Sequence, residues 1–347
     1  MSTWQESLRK AIKSTKELKS FFQTEFAETS YPIFLPLNLA EKIRSLGFGS
    51  PLAKQFLPHQ DELTPGGLID PIGDHRHSPT PMIVHRYESR ALLLPTNRCP
   101  IICRYCFRKN ELYESQDPLF KPEMTAAMEY LSTHSEINEV IFSGGDPFML
   151  SNEKLSEILA QLEKIPHLKY LRFHTRFGAI IPERFDRELI QVLQKTYKHF
   201  DKVLIIIHTN HPTEWDDENL ECVQNLVKTG FDIRTQSVLL KGVNDDPQVL
   251  LDLFTPLIKR GLTPYYLHHP DQVKGAQHFR LNLQTGRQIY SQLRRKLPGW
   301  ALPRYMVDLP EGEGKVEAFN PESFEFSGQL INQYGRLVNY ENIRESL

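Results

Sequence analysis

Short apolar runs alternate with amphipathic segments along most of the chain after residue 90. The intervening segments 151–165 and 246–261 carry apolar residues at helical spacing, and Gly261 stands where a helix commonly ends. Strands that alternate with helices predict βα units around a parallel sheet. Right-handed crossovers would curl such a sheet into a partial (β/α)6 barrel of the α/β class. The six predicted strands are 91–95, 139–144, 170–175, 202–209, 232–240 and 263–269.

The chain before the first predicted strand has a different pattern. Residues 4–26 and 38–46 carry apolar residues three and four positions apart, which predicts helices. Residues 64–82 are rich in proline and glycine, so we expect mostly turns there. Three parts follow from this pattern: an N-terminal helical region over 1–70, the partial barrel over 71–285, and a short C-terminal segment over 286–347.

Polar and reactive residues concentrate where the predicted strands end. In barrel folds the carboxyl ends of the strands carry the active site, so these residues are expected to meet at one face. The cysteines follow the first strand, and the next five strands lead into 143–147 (SGGDP), 174–176 (HTR), 208–212 (HTNHP), 236–238 (QSV) and 268–271 (HHPD).

Composition narrows the class of protein. The net charge of −2 over 347 residues gives no general attraction to nucleic acid or to an anionic membrane. The opening segment 1–22 lacks the apolar core of a signal peptide, and no run of 18 apolar residues predicts a membrane span. Three of the four cysteines lie within residues 99–106, which is not a secreted disulfide framework. We therefore expect a cytoplasmic protein whose cysteines serve metal or redox chemistry.

Cys99, Cys103 and Cys106 have the spacing C-x3-C-x2-C. A structural zinc ion needs four ligands, and here the fourth would have to be a distant histidine or Cys222. A disulfide between two of the three cysteines would leave the third thiol unpaired. A [4Fe–4S] cluster normally takes four thiolates, so three would leave one iron open to an amine and a carboxylate of a bound molecule. The spacing alone does not decide between a zinc ion, a disulfide and a cluster, although it favours the cluster.

The same spacing resembles the cysteine motif of radical S-adenosylmethionine (SAM) enzymes. Tyr105 resembles the aromatic residue that often precedes their third cysteine. Gly144, Gly145 and Asp146 resemble the glycine-rich segment that meets the amino group of SAM, although Asp146 is also suited to cap the following helix. The resemblance implies a radical SAM barrel with a [4Fe–4S] cluster and S-adenosyl-L-methionine as cofactors.

Longer segments resemble the lysine 2,3-aminomutase family, in the same order along the chain. This resemblance implies an isomerase that exchanges the α-amino group of L-lysine with a β-hydrogen and that also uses pyridoxal 5′-phosphate (PLP). The matching segments are 74–99, 142–147, 208–214, 236–245, 264–280 and 307–315.

The resemblance also assigns the PLP contacts. Lys315, in the segment EGEGK, matches the lysine to which PLP is covalently attached. Arg86 and Arg90 match contacts of the PLP phosphate, a group that guanidinium pairs well, and Tyr87 lies between them. Without the resemblance, each of these would be an ordinary surface residue.

Substrate and SAM contacts follow in the same way. Arg108 matches the arginine that pairs with the substrate carboxylate, whereas Asp271 and Asp308 match the two acids that hold the distant ammonium. Two acids around one cation would select a long basic amino acid. His208 and Gln236 match segments that flank SAM, as does His211, although buried histidines and glutamines are more often ordinary core residues.

The resemblance implies partners and leaves alternatives. It implies a reductant such as flavodoxin or ferredoxin, and homo-oligomerisation is left open. No cysteine follows Cys222, so the zinc site of the longer catabolic enzymes is not expected. The short length resembles the branch that supplies β-lysine for modification of elongation factor P. The alternatives are an aminomutase for glutamate or ornithine, and a non-enzymatic zinc or iron–sulfur binding module.

Overall fold

A computed structural model of the chain describes residues 3–114, 116–318, 329–331 and 336–340. Its centre is a nine-stranded sheet in which the strands are neighbours in chain order. The strands are β1 Ile83–Tyr87, β2 Arg90–Leu93, β3 Glu139–Phe142, β4 Tyr170–Thr175, β5 Lys202–His208, β6 Asp232–Val238, β7 Thr263–His268, β8 Arg304–Leu309 and β9 Gly314–Glu317. A separate hairpin pairs β10 Gln329–Ile331 with β11 Leu337–Asn339.

Strands β2 to β8 are parallel, and the antiparallel β1 and β9 flank them. The six predicted strands are β2 to β7, so the predicted α/β partial barrel is confirmed. The sheet also contains three strands that the pattern did not reveal, because β1, β8 and β9 mix polar with apolar residues. Strands β8 and β9 lie beyond the predicted barrel boundary at residue 285, in the same sheet.

Helices alternate with the parallel strands and begin at polar caps. Ser151, Asp186, Asp216 and Asp246 each accept a hydrogen bond from a backbone N–H of the helix that follows. Gly261 adopts a φ of +87° just after the helix at 247–259, as predicted. The α-helices are α1 Trp4–Arg9, α2 Thr15–Phe22, α3 Leu37–Leu46, α4 Pro51–Phe56, α5 Met124–Thr133, α6 Asn152–Leu162, α7 Phe177–Ile180, α8 Arg187–Tyr197, α9 Asp217–Lys228, α10 Pro247–Lys259 and α11 Leu283–Lys296.

The prediction of one helix over 4–26 is wrong. The segment forms α1 and α2 instead, and Ser14 caps the second helix. Between them the backbone of Ile12 exchanges two hydrogen bonds with Leu35, at 2.8 and 2.9 Å. This long-range pairing replaces helical hydrogen bonds at the break. The helix predicted over 38–46 is confirmed as α3, and 64–82 consists mainly of turns, as expected.

The core lies between the sheet and the surrounding helices. Strand β5 reads KVLIIIH and buries Val203, Ile205, Ile206 and Ile207, as expected for a parallel strand covered on both faces. No helix among residues 3–114, 116–318, 329–331 and 336–340 is long and apolar enough to cross a bilayer. Part of the predicted C-terminal segment, namely 319–328, 332–335 and 341–347, lies outside the described residues.

Phe173 on β4 is the centre of an aromatic stack and tests this packing. Its ring centroid lies 4.6 Å from that of Phe142 and 5.3 Å from that of Phe148. Phe173→Ala should lower the free energy of unfolding by about 3–5 kcal/mol, because it removes buried ring contacts and leaves a cavity. Tyr170→Ala, at the exposed end of the same strand, should cost about 0.5 kcal/mol. Equal losses in urea unfolding would show that the core does not lie where we describe it.

Candidate active site

A cavity of about 550 Å³ opens at the carboxyl ends of the parallel strands. His211 is the one predicted site residue that does not line this cavity. Its side chain instead caps the short 3-10 turn at 212–214. The predicted residues that do line the cavity are Arg86, Tyr87, Arg90, Cys99, Cys103, Cys106, Arg108, Gly144, Gly145, Asp146, His208, Gln236, Asp271, Asp308 and Lys315.

The cysteine loop that follows β2 is held by a buried ion triad. Glu62 accepts hydrogen bonds from the Arg104 guanidinium at 2.6 and 2.8 Å and from the Lys109 ammonium at 3.0 Å. Lys109 also donates to the carbonyl oxygens of Arg104 and Gly275, at 2.8 and 2.9 Å. All three charged side chains are buried. The N-terminal region thereby fixes the loop on both sides of Cys106.

The thiols of the loop are set up for a cationic ligand. Burial, together with the neighbouring Cys103, raises the pKa of Cys106 to about 12, and burial raises the pKa of Cys99 as well. A metal that binds these thiols would displace their protons, because the thiolate is the form that ligates a metal.

The spacing of the three sulfurs bears on which metal the loop suits. Ligand atoms around one zinc ion must lie close together. Within the described residues, only Asp70, His75 and Glu111 bring such atoms within 4.8 Å of one another. At least one pair of the three sulfurs therefore lies more than 4.8 Å apart. This arrangement fits a cluster, which puts each thiolate on a different iron.

The glycine-rich segment after β3 packs directly on the start of the cysteine loop. The N–H groups of Gly145 and Asp146 donate to the carbonyl oxygens of Thr96 and Arg98, both at 2.8 Å. A Cβ atom on Gly145 would lie 2.2 Å from the Arg98 oxygen, so only glycine fits there. The backbone thus comes close to Cys99 because the side chain is absent.

The Asp146 side chain makes its hydrogen bonds within the protein. Its carboxylate accepts hydrogen bonds from the N–H groups of Phe148 (3.0 Å) and Arg176 (2.7 Å) and from the Thr175 hydroxyl. Burial raises the pKa of Asp146 to about 6. The side chain caps the 3-10 turn at 147–149 and joins the ends of β3 and β4, which supports the capping role that the sequence offered.

Arg176 and Glu214 form a buried network that sequence reasoning missed. The Arg176 guanidinium donates to the Tyr105 hydroxyl at 2.8 Å, to Glu214 at 2.6 Å and to the His208 carbonyl oxygen at 2.7 Å. The Tyr105 hydroxyl lies 3.1 Å from Nε2 of His208. Burial, and then the Arg176 charge, lower the pKa of His208 well below its usual value, so this imidazole is neutral. Arg176 belongs to the polar segment 174–176 at the end of β4, and this position could have identified it from the sequence.

Asp74 is the second missed residue, and it joins two predicted arginines. Its buried carboxylate accepts from Nε and Nη2 of Arg108 at 2.8 and 2.7 Å, and from Nη2 of Arg86 at 3.0 Å. Nη1 of Arg108 donates to the Ser143 hydroxyl at 3.0 Å. Nη1 of Arg86 lies 3.7 Å from Asp308. Both guanidinium groups are thus paired with the same carboxylate.

Lys315 points into the same cavity from the β8–β9 hairpin. The register of the hairpin sets Lys315 opposite Asp308, and the ammonium donates to this carboxylate. Nζ also lies 3.2 Å from Nδ1 of His268, and the backbone N–H donates to the Tyr87 hydroxyl at 2.8 Å. Burial, and then the Lys315 charge, lower the pKa of His268 to about 3, so the imidazole can accept from the amine.

The pKa values of the two predicted acids, Asp271 and Asp308, are shifted in opposite directions. Burial alone would raise the pKa of Asp308, but the Lys315 ammonium beside it lowers the value below the ordinary range. Burial, and then the negative charge of Asp308, raise the pKa of Asp271 to about 8. Near neutral pH the pair therefore carries one negative charge, on Asp308, and one proton, on Asp271.

The remaining predicted residues, Arg90 and Gln236, also line the cavity. The Arg90 guanidinium lies 3.9 Å from the centre of the Tyr87 ring. Nearby, Arg172 pairs with Glu139 through two hydrogen bonds, at 3.0 and 2.8 Å, and contacts Tyr265. Sequence reasoning did not single out Arg172, which lies inside a strand. Gln236 lines the cavity from β6.

Comparison with known proteins gives consistent matches over most of the chain. The family model of the radical SAM superfamily matches residues 93–254. The L-lysine 2,3-aminomutase of Escherichia coli (strain K12) is 36% identical over 280 residues, which cover 80% of each chain. That of Haemophilus influenzae is 35% identical over 311 residues, covering 87% of this chain and 91% of the other. That of Clostridium subterminale is 32% identical over 330 residues, covering 90% and 77%.

Gly145 provides a test of the contact between the glycine segment and the cysteine loop. Gly145→Ala should push the Arg98 backbone away, lower the free energy of unfolding by about 1–3 kcal/mol, and reduce the iron and sulfide bound per chain after anaerobic reconstitution. Gly299→Ala is the matched control, because no atom lies within 4 Å of the Cβ it would add. Full iron content in Gly145→Ala would contradict the geometry.

Proposed function

The chain belongs to the L-lysine 2,3-aminomutase family of radical SAM enzymes, and on this premise we propose that it interconverts L-lysine and β-lysine. The radical SAM match supports a [4Fe–4S] cluster and S-adenosyl-L-methionine as cofactors. PLP is the third cofactor of the proposal. The observation that carries it is the shared cavity, because Cys99, Cys103 and Cys106 line the same space as Lys315.

The residues of the cavity suit all three groups. Cys99, Cys103 and Cys106 would ligate three irons of the cluster, and Lys315 would bind the PLP carbonyl through Nζ. When bound, the cluster and SAM supply removal and return of a hydrogen atom at an unactivated carbon, and PLP supplies a carbonyl that carries the amino group.

Three features of the chain support the PLP assignment. His268 accepts from Nζ of Lys315, and the Tyr87 hydroxyl holds the backbone of the same residue, so the amine is directed into the cavity. Arg90 lies over the Tyr87 ring in the lining of this cavity and offers a guanidinium to a phosphate. Within the described part of the chain, the buried Nε of Arg86 and Nε2 of His174 have no hydrogen-bond partners, which is consistent with polar groups of a bound molecule.

Substrate recognition follows from the charges. Arg108 would hold the lysine carboxylate through the N–H groups of its guanidinium. Asp74 and Ser143 fix the orientation of this guanidinium. Asp308 already accepts from an ammonium, that of Lys315, and would accept from the substrate ammonium in the same way. Asp271 would join it after losing its proton. A second carboxylate at this end favours lysine or ornithine over glutamate.

The cysteine assignment predicts a clear difference between two cysteine variants. Reconstituted anaerobically and given reductant, SAM, PLP and L-lysine, the wild type should form β-lysine. Cys103→Ala should lose both cluster absorbance and product. Cys222→Ala should keep both, because Cys222 lies in α9 and donates to the Pro182 carbonyl oxygen, away from the cavity. Product from Cys103→Ala would contradict the site, and turnover of ornithine or glutamate in place of lysine would contradict the substrate.

Asp271 predicts a pH dependence of lysine binding. Its pKa of about 8 means that the carboxyl is mostly protonated at pH 6.5 and mostly ionised at pH 8.5. Because the ammonium pairs with the ionised form, the affinity for L-lysine should rise roughly 20-fold across this range. Asp271→Asn should bind weakly and nearly equally at both pH values. Calorimetry that shows the same slope in wild type and Asp271→Asn would exclude this role for Asp271.

A further inference from the structure

A second group of metal-ligating side chains lies behind the cavity wall. Oδ2 of Asp70 lies 3.1 Å from Nδ1 of His75, and Oε1 of Glu111 lies 3.6 Å from the same nitrogen. The three ligand atoms all lie within 4.8 Å of one another. Ligands about 2.0–2.2 Å from a single first-row cation are roughly 3.0–3.5 Å apart, so one ion fits between them.

Glu111 is the observation that points to a ligand. Its side chain is 1% exposed, and neither carboxylate oxygen has a hydrogen-bond partner among the residues that the structure describes. A buried carboxylate without donors is costly, and buried polar groups are almost always satisfied. A cation between Glu111 and Asp70 would supply the missing partner.

His75 has the orientation of a metal-bound histidine. Its Nδ1 faces Asp70 and Glu111, and its Nε2 lies 3.2 and 3.1 Å from the two oxygens of Asp117. A histidine that ligates a metal through one nitrogen commonly donates the N–H of the other to a carboxylate. Asp117 is itself nearly buried and also caps the 3-10 turn at 118–120.

The charges of the region leave room for a divalent ion. Arg86 and Arg108 both pair with Asp74, so their guanidinium groups are directed at that carboxylate. Asp70, Glu111 and Asp117 then surround a single imidazole. The carboxylate of Asp70 also accepts from the N–H groups of Asp74 and His75, at 2.9 and 3.0 Å, and retains lone pairs for a metal.

We propose that Asp70, His75 and Glu111 bind one divalent first-row transition cation, with Asp117 orienting His75. One imidazole and two carboxylates are a mixed nitrogen and oxygen set that suits Mn²⁺, Fe²⁺ or Zn²⁺. Asp70 and His75 are partly exposed, which gives a path for the ion and positions for water ligands. The ion would tie the segment that carries Asp74 to the segment that carries Arg108, and so position the arginine of the cavity.

A titration with Mn²⁺ tests the site in protein that already holds its cluster. Mn²⁺ is the probe because thiolates favour softer metals, so the cysteine loop does not compete. The electron paramagnetic resonance signal of free Mn²⁺ should fall until one ion is bound per chain. Glu111→Gln should weaken binding at least about tenfold, and Asp117→Asn, which keeps the cap, should weaken it about 10–100-fold. Glu114→Gln removes an exposed carboxylate three residues away and should bind as the wild type does.

Thermal unfolding gives an independent reading. Mn²⁺ should raise the melting temperature of the wild type and of Glu114→Gln, and raise that of Glu111→Gln less at the same Mn²⁺ concentration, because only the folded state binds the ion and the variant binds it more weakly. A wild type that leaves the Mn²⁺ signal as in buffer overturns the proposal, and so does equal affinity in the wild type and Glu111→Gln. If Glu111→Gln does not fold, the wild-type stoichiometry and the affinity of Asp117→Asn decide, and an unchanged affinity in Asp117→Asn overturns the role of that residue.

Discussion

A series of ion pairs with alternating positive and negative side chains lines the cavity, and the rest of the site depends on these pairs. It starts at Arg108 beside the cysteine loop, passes through Asp74 to Arg86, and reaches Asp308 and Lys315 on the last hairpin. Arg108 and Asp74 are buried, and the side chains of Arg86 and Asp308 are 8% and 9% exposed. Removing one partner of a buried ion pair costs about 3–5 kcal/mol, because it leaves an uncompensated charge. The cysteine end and the lysine end of the cavity are therefore held in one fixed relation, although they lie about 200 residues apart in the chain.

The sheet makes this relation possible. Parallel strands bring their carboxyl ends to one edge, so each loop that follows a strand contributes to the same space. The hairpin of β8 and β9 adds Lys315 by an antiparallel return, in a register that sets it opposite Asp308. Glycine at position 145 allows the second loop to lie directly on the first. The Glu62 triad fixes the cysteine loop from the other side, which gives the N-terminal region a role in the site.

The sequence was most informative where the signal is local. Apolar runs marked β2 to β7, and Cys99, Cys103, Cys106 and Lys315 lie in short segments that resemble a known family, so they could be singled out before any coordinates. The break between α1 and α2 could not be predicted, because it depends on the pairing of Ile12 with Leu35. Asp74, Arg176 and Glu111 were missed for a related reason: each gains its meaning from partners far away in the chain or from burial, and neither is visible in a residue pattern.

The central claim is that Lys315 is the amine that receives PLP within this cavity. Borohydride reduction of the PLP-loaded, cluster-containing protein, followed by peptide mass spectrometry, tests it most directly. The account predicts one pyridoxyl group per chain, on Lys315, and none in Lys315→Ala, whereas Lys274→Ala, which alters an exposed lysine, should be labelled like the wild type. A label on any other lysine, such as the buried Lys109, or an unlabelled wild type, would contradict it.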